Sequence, residues 1–217
     1  MPVEAKARNG SSEVSVVRLA LLAATAAVTV LLVVEASRRP YFPTDLFVAR
    51  AIQSLGLMPV SVATWMTATA DAPWCFALVA LTSVAAWMIS GWRAALLALP
   101  IFLGLLLFGL WLSPHIAQPR PSPNLITVIG HPKGYSCPSI SGLVYASAFG
   151  YLGLLAAVRL RGAGAIVIPI LAAAILISAA CARIVLGAHW PSDLLASYFM
   201  GFLWIELLLP LSDRDAA

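Results

Sequence analysis

Toward the C-terminal end the sequence reads Arg183-Ile-Val-Leu-Gly-Ala-His189-Trp-Pro-Ser-Asp193, with a guanidinium six residues before an imidazole and a carboxylate four residues after it. Together these groups suit phosphoryl chemistry. If a helix begins near His189, the four-residue spacing puts Asp193 on the same face, where its carboxylate holds one imidazole nitrogen. The other nitrogen is then free to attack phosphorus, and Arg183 offers a planar fork of donors to the phosphate oxygens. Charged residues beside a membrane also serve as plain interface anchors. Three of them at this spacing argue instead for a site.

The elements that must position these residues are membrane helices. Of the 217 residues, 61% are hydrophobic and only 10% charged, and the mean hydropathy is +0.94; a soluble domain carries charge on roughly a quarter of its residues. The net charge of +4 is spread between apolar runs and forms no basic stripe, which excludes nucleic acid as a partner. A span needs about 20 predominantly apolar residues. Stretches that meet this are Val16 to Val34, Asp71 to Arg93, Arg93 to Leu112, Ser139 to Val158, Gly164 to Cys181 and Trp190 to Pro210. Trp74, Trp92, Trp111, Trp190 and Trp204 fall near their ends, as interfacial anchoring predicts. Ala51 to Ala70 is uncharged but broken by Gly56 and Pro59, and is expected as an amphipathic helix on the outer surface. Val34-Glu35-Ala36 has the small-x-small pattern of a signal cleavage site; an uncleaved first span is the expected reading.

The sequence thus predicts an all-α integral membrane protein, a bundle of six transmembrane helices with an outward-facing amphipathic helix between spans one and two. Residues 1–15 and 212–217 become cytoplasmic segments around a transmembrane domain at 16–211. With both termini inside, Lys6, Arg8, Arg18, Arg93, Arg159, Arg161 and Arg214 are cytoplasmic, against Arg38, Arg39, Arg50, Arg120, Lys133 and Arg183 outside. The bias sharpens once Arg120 and Arg183 are set aside as site residues. The loop from Ser113 to Pro138 and the turn from Ala182 to His189 then face outward together.

Those two segments carry further matching residues: Ser113 through Arg120-Pro121, and Pro138-Ser139-Ile140-Ser141. In order and spacing they resemble the type 2 phosphatidic acid phosphatase (PAP2) superfamily, membrane lipid phosphatase branch. Its motifs are Lys, six residues, Arg-Pro; then Pro-Ser-Gly-His; then Ser-Arg, five residues, His, three residues, Asp. The resemblance covers roughly Asp45 to Leu211 and implies a PAP2-type bundle. It implies that His189 is the nucleophile that forms a phosphohistidine, that Asp193 orients it, and that Arg120 and Arg183 clamp the phosphate. Ser139 is implied to bind phosphate through its hydroxyl and backbone N–H, at a helix start that favours anions. The partners are a lipid phosphate or diphosphate substrate and the surrounding membrane lipids. The location is a plasma membrane, the inner membrane of a bacterium. No cofactor or metal is implied, and no His, Cys and carboxylate cluster has ligand spacing.

Three positions depart from the family pattern. Ser113 stands for the motif-one Lys, Ile140 for the motif-two Gly and Ser141 for the motif-two His. That His normally protonates the leaving oxygen, a role worth about 10²–10⁴ in rate. His131 and Lys133, in the same loop as Arg120, are the candidate replacements. Two readings follow: a lipid phosphatase weakened by these changes, or a non-catalytic relative that binds or moves phospholipid headgroups. Two minor features remain. Cys137 and Cys181 flank the motifs, where a disulfide would tie spans four and five. Glu206, near the inner end of the last span, is expected to pair helices or face the interface.

Overall fold

The computed structural model describes residues 2–212, with side chains at 16 and from 18 onward; the side chains of Lys6, Arg8 and Arg214, and the tail beyond Ser212, lie outside the described residues. All regular structure among these residues is helical. Helix α1 spans Pro2–Arg38, followed by α2 (Pro43–Ser54), α3 (Val60–Ala68), α4 (Trp74–Ser90) and α5 (Trp92–Ile116). After a long loop come α6 (Ile140–Tyr145), a π-turn (Ala146–Gly150) and α7 (Tyr151–Arg159), which run on as one rod, then α8 (Gly164–Val185) and α9 (Pro191–Leu208).

Five stretches are long and apolar enough to cross a membrane: Arg18–Arg38, Trp92–Ile116, Ile140–Arg159, Gly164–Val185 and Pro191–Ser212. The expected second span is the shorter Trp74–Ser90, whose 17 residues reach about 25 Å at 1.5 Å per residue. The rod through α6 and α7 is the central one, since 72% of its window is buried while α1 buries 11%. Around it, α5 packs on α4 and α9, and α8 packs on α7. Ile101, Leu105, Leu143, Leu155 and Ile205 form the largest buried cluster.

The segment from Ala51 to Ala70 is not one amphipathic helix. It holds the end of α2, a turn with Gly56 at φ +57°, and α3, whose N-cap is Pro59. Proline lacks the N–H that a continuing helix needs and glycine relaxes the turn, so the sequence makes two short helices. Both dock on the bundle, α2 against α8 and α9, and α3 against α8. Trp190 is also not an interfacial anchor: it is 1% exposed and its ring lies 4.8 Å from that of Tyr41. Trp74, Trp92, Trp111 and Trp204 are exposed. All three cysteines are free thiols rather than a Cys137–Cys181 bridge.

The long loop is fixed by polar contacts from α2. Gln53 Nε2 donates to the carbonyls of Thr127 (2.8 Å) and Ile184 (3.0 Å), and Gln53 Oε1 accepts the Thr127 N–H (3.0 Å). The Ile129 N–H donates to the Leu186 carbonyl at 2.9 Å. The loop therefore seats on the α8–α9 turn, where Gly187 has φ +62° and a Cβ would lie 2.1 Å from the Thr127 oxygen. Gly187→Ala combines left-handed strain with that overlap and is expected to destabilise by roughly 2–4 kcal/mol. Thermal unfolding of the purified protein in detergent checks this; an unchanged midpoint would show that the loop does not seat as described.

Candidate active site

Helix α9 begins at Pro191, two residues later than a start at His189, and this shift decides how the imidazole is held. His189 is 2% exposed. Its Nδ1 lies 2.8 Å from the Ser136 carbonyl oxygen and 3.7 Å from Asp193 Oδ2. A carbonyl only accepts, so Nδ1 carries the proton; Nε2 then has a lone pair, and Arg120 Nη1 donates toward it at 3.2 Å. The sequence places the Asp193 carboxylate on one imidazole nitrogen; in the structure the hydrogen-bond partner of Nδ1 is a backbone carbonyl instead.

Asp193 acts one step removed. Its Oδ2 caps its own helix by accepting the Trp190 N–H at 2.8 Å, and it also accepts the Ser136 hydroxyl. Ser136 thus receives His189 on its carbonyl while its side chain is held by Asp193. A second carboxylate does the same job from α2. Asp45, 2% exposed, accepts the Ser192 N–H (2.9 Å) and hydroxyl (2.6 Å) and the N–H of Phe42 (2.8 Å). It pins the start of α2 to the start of α9. Sequence reasoning missed Ser136 and Asp45, because a lone serine or aspartate far away in the chain carries no spacing signal.

Arg120 reaches the histidine directly, while Arg183 acts on it through its charge. Arg120 Nε donates to the carbonyls of Lys133 (3.0 Å) and Gly134 (3.2 Å), and Nη1 to that of Ala188 (2.6 Å). Burial lowers its pKa and Asp193 raises it back toward normal. Arg183 sits in the last turn of α8, and its buried Nε meets no acceptor among the described residues. Burial, then the charges of Arg183 and Arg120, hold the His189 pKa well below its ordinary 6.5, against the Ser136 carbonyl, which raises it. The imidazole is therefore neutral at physiological pH. The Cys137 thiol beside it is pushed up by burial and by Asp193 and Asp45, and stays protonated.

Ser139 is the N-cap of α6, accepting the Gly142 N–H at 3.2 Å. Its backbone N–H, expected on phosphate, instead donates to Ser197 Oγ at 2.8 Å, and Ser197 in turn donates to the Asp193 carbonyl. Only the Ser139 hydroxyl proton remains to be given, and Ser141 Oγ lies 3.2 Å away. Ile140 does not obstruct the backbone approach, as its side chain packs toward Gly109 of α5. Ser113, half-buried in the last turn of α5, accepts the Ala117 N–H through its carbonyl. Lys133 and His131 are exposed. Lys133 meets Arg120 through its carbonyl, not its ammonium, and no contact joins His131 to the imidazole. Among the described residues no cluster of His, Cys, Asp or Glu could hold a metal ion.

The PAP2 superfamily model matches residues 77–215. The chain belongs to the PAP2 superfamily. A crystal structure with a similar fold is that of a transmembrane PAP2-type phosphatidylglycerolphosphate phosphatase from Bacillus subtilis. It has a TM-score of 0.68 and 19% sequence identity, and the match covers 86% of this chain and 96% of that one. A comparison with curated proteins gives no significant match. The PAP2 match begins within α4, so α1, α2 and the Asp45 clamp lie outside the family model.

A folded imidazole that refuses a proton has a measurable consequence. Unfolded His189 takes up a proton near pH 6.5 while the folded one does not, so stability falls as pH drops through the window below 6.5. In ¹⁵N NMR of histidine-labelled protein, the resonance lost in His189→Gln is expected to keep its neutral, Nδ1-protonated shifts at pH 6. A resonance that is half protonated near 6.5 would contradict the burial and charge argument.

Proposed function

We propose that this PAP2 protein is a membrane phosphatase that hydrolyses a lipid phosphate or diphosphate through a phosphohistidine on His189. The observation that carries the reading is the neutral imidazole whose Nε2 lone pair faces Arg120 while Nδ1 is fixed on Ser136. Counting Trp74–Ser90 as the second, six crossings would put both termini on one side, and the basic residues at the ends of the chain favour reading that side as cytoplasmic and the site as outward-facing. α2 and α3 lie over that outer end.

The chemistry runs in two displacements. Phosphate oxygens draw the Arg120 Nη1–H away from Nε2 and pair with both guanidiniums, which suit phosphate as planar forks. Nε2 forms a bond to phosphorus as the bond to the leaving oxygen breaks, and the imidazole gains positive charge. The Ser136 carbonyl and the Asp193 carboxylate, 3.7 Å from Nδ1, stabilise that charge. Water then attacks the phosphorus, inorganic phosphate departs, and Nε2 recovers its lone pair.

Leaving-group protonation decides the substrate. A monoester expels an alkoxide and depends on a proton donor, whereas a diphosphate expels a phosphate that carries negative charge readily. Ser141, whose hydroxyl faces Ser139, is no acid near neutral pH. The substrate favoured is therefore a lipid diphosphate. The same serine favours a second reading, in which the site binds phosphate headgroups without turnover.

Phosphate release from polyprenyl diphosphate, polyprenyl phosphate and phosphatidate separates these readings. The diphosphate is expected to turn over fastest and His189→Ala to fall to background. Because Ile140 packs against α5, Ser141→His alone is expected to raise monoester turnover by about 10²–10⁴ and diphosphate turnover much less. No release from any of the three substrates supports headgroup binding; equal gains on mono- and diphosphate would show that another group already supplies the proton.

A further inference from the structure

At the end of the bundle away from His189, three helices leave a cavity of ≈ 320 Å³ that the phosphate site does not use. It lies beside Glu206, thirteen residues beyond Asp193 in α9, hence roughly 20 Å along the helix axis. Leu21 of α1, Leu154 of α7 and Leu209 just after α9 form apolar walls, and Arg18, Arg159 and Glu206 supply the charges. Arg18 Nη2 donates to the Glu206 carbonyl at 3.1 Å, and Arg159 Nη2 donates to Ser212 Oγ at 3.0 Å. The Glu206 Oε2 atom is buried and meets no donor among the described residues. A buried carboxylate oxygen without a donor is costly, and Arg18 spends that arm on the backbone instead. The position is the level at which a span ends and lipid headgroups begin.

We propose that this cavity binds a phospholipid whose headgroup carries a phosphodiester and, a few bonds further on, a hydrogen-bond donor. The phosphodiester oxygens pair with the guanidiniums, the terminal donor reaches the Glu206 carboxylate, and an acyl chain follows the leucine walls. Ethanolamine, through its ammonium, and glycerol, through its hydroxyl, both have this chemistry; choline, which has no donor, does not. Basic pockets between transmembrane helices recognise phospholipid headgroups in the same way, and the carboxylate adds a choice among headgroups. Nothing in the proposal depends on His189.

The test is native mass spectrometry of the full-length protein with phosphatidylethanolamine, phosphatidylglycerol and phosphatidylcholine of identical chains. The donor-bearing lipids are expected to be retained about tenfold more strongly than the choline lipid, the scale of one hydrogen bond to a charged group. Preference for ethanolamine alone identifies the ammonium as the ligand of Glu206, and equal preference for both identifies any donor. Glu206→Leu is expected to abolish the preference without changing choline-lipid retention, and Arg18→Gln to weaken all three. If Arg18→Gln lowers the melting temperature in phosphatidylcholine alone, the Glu206→Leu comparison decides. Equal retention of the three lipids by the unaltered protein, or a preference that survives Glu206→Leu, overturns the proposal.

Discussion

Asp193 is only 1% exposed, and a buried carboxylate is costly unless donors meet it; its Oδ1 meets none among the described residues. One of its oxygens takes the first free N–H of α9 and the hydroxyl of Ser136, while Ser197 binds the Asp193 backbone and reaches back to Ser139. The start of α9 is thereby locked to the segment leading into α6. The Ser136 carbonyl ends up 2.8 Å from His189 Nδ1. Asp45 adds a second carboxylate at the same helix start, where the positive end of the helix dipole favours negative charge. The His189 tautomer is thus a by-product of helix capping.

The part of this arrangement carried by local rules is legible in the sequence. Arg183, His189 and Asp193 are close along the chain, so the short turn between α8 and α9 keeps them near one another, and long apolar runs declare spans whatever they pack against. Packing across the chain is not legible. Ser136 and Asp45 act on residues 57 and 147 positions away, and nothing in their neighbourhoods distinguishes them from any other serine or aspartate. Trp190 reads as a boundary anchor because tryptophans usually sit there, yet its ring fills the space against Tyr41. Ile140 reads as an obstruction only until its side chain is seen turned toward Gly109.

The departures from the family motifs weigh unequally once placed. Ile140 costs the site nothing sterically. Ser113 leaves one cation fewer near the phosphate, with Arg120 and Arg183 still in place. Ser141 removes the acid, and His131 makes no contact that would replace it. Under the proposed mechanism, what remains is the half that would attack phosphorus and stabilise the intermediate, without the half that helps a poor leaving group depart.

Trapping the intermediate tests the nucleophile most directly. Protein mixed with a lipid diphosphate labelled at its terminal phosphorus, quenched in alkali and digested, is expected to carry the label on the peptide containing His189, as an acid-labile, base-stable phosphoramidate absent from His189→Ala. Label on another residue, or turnover with no phosphoramidate at any quench time, would contradict a nucleophilic His189.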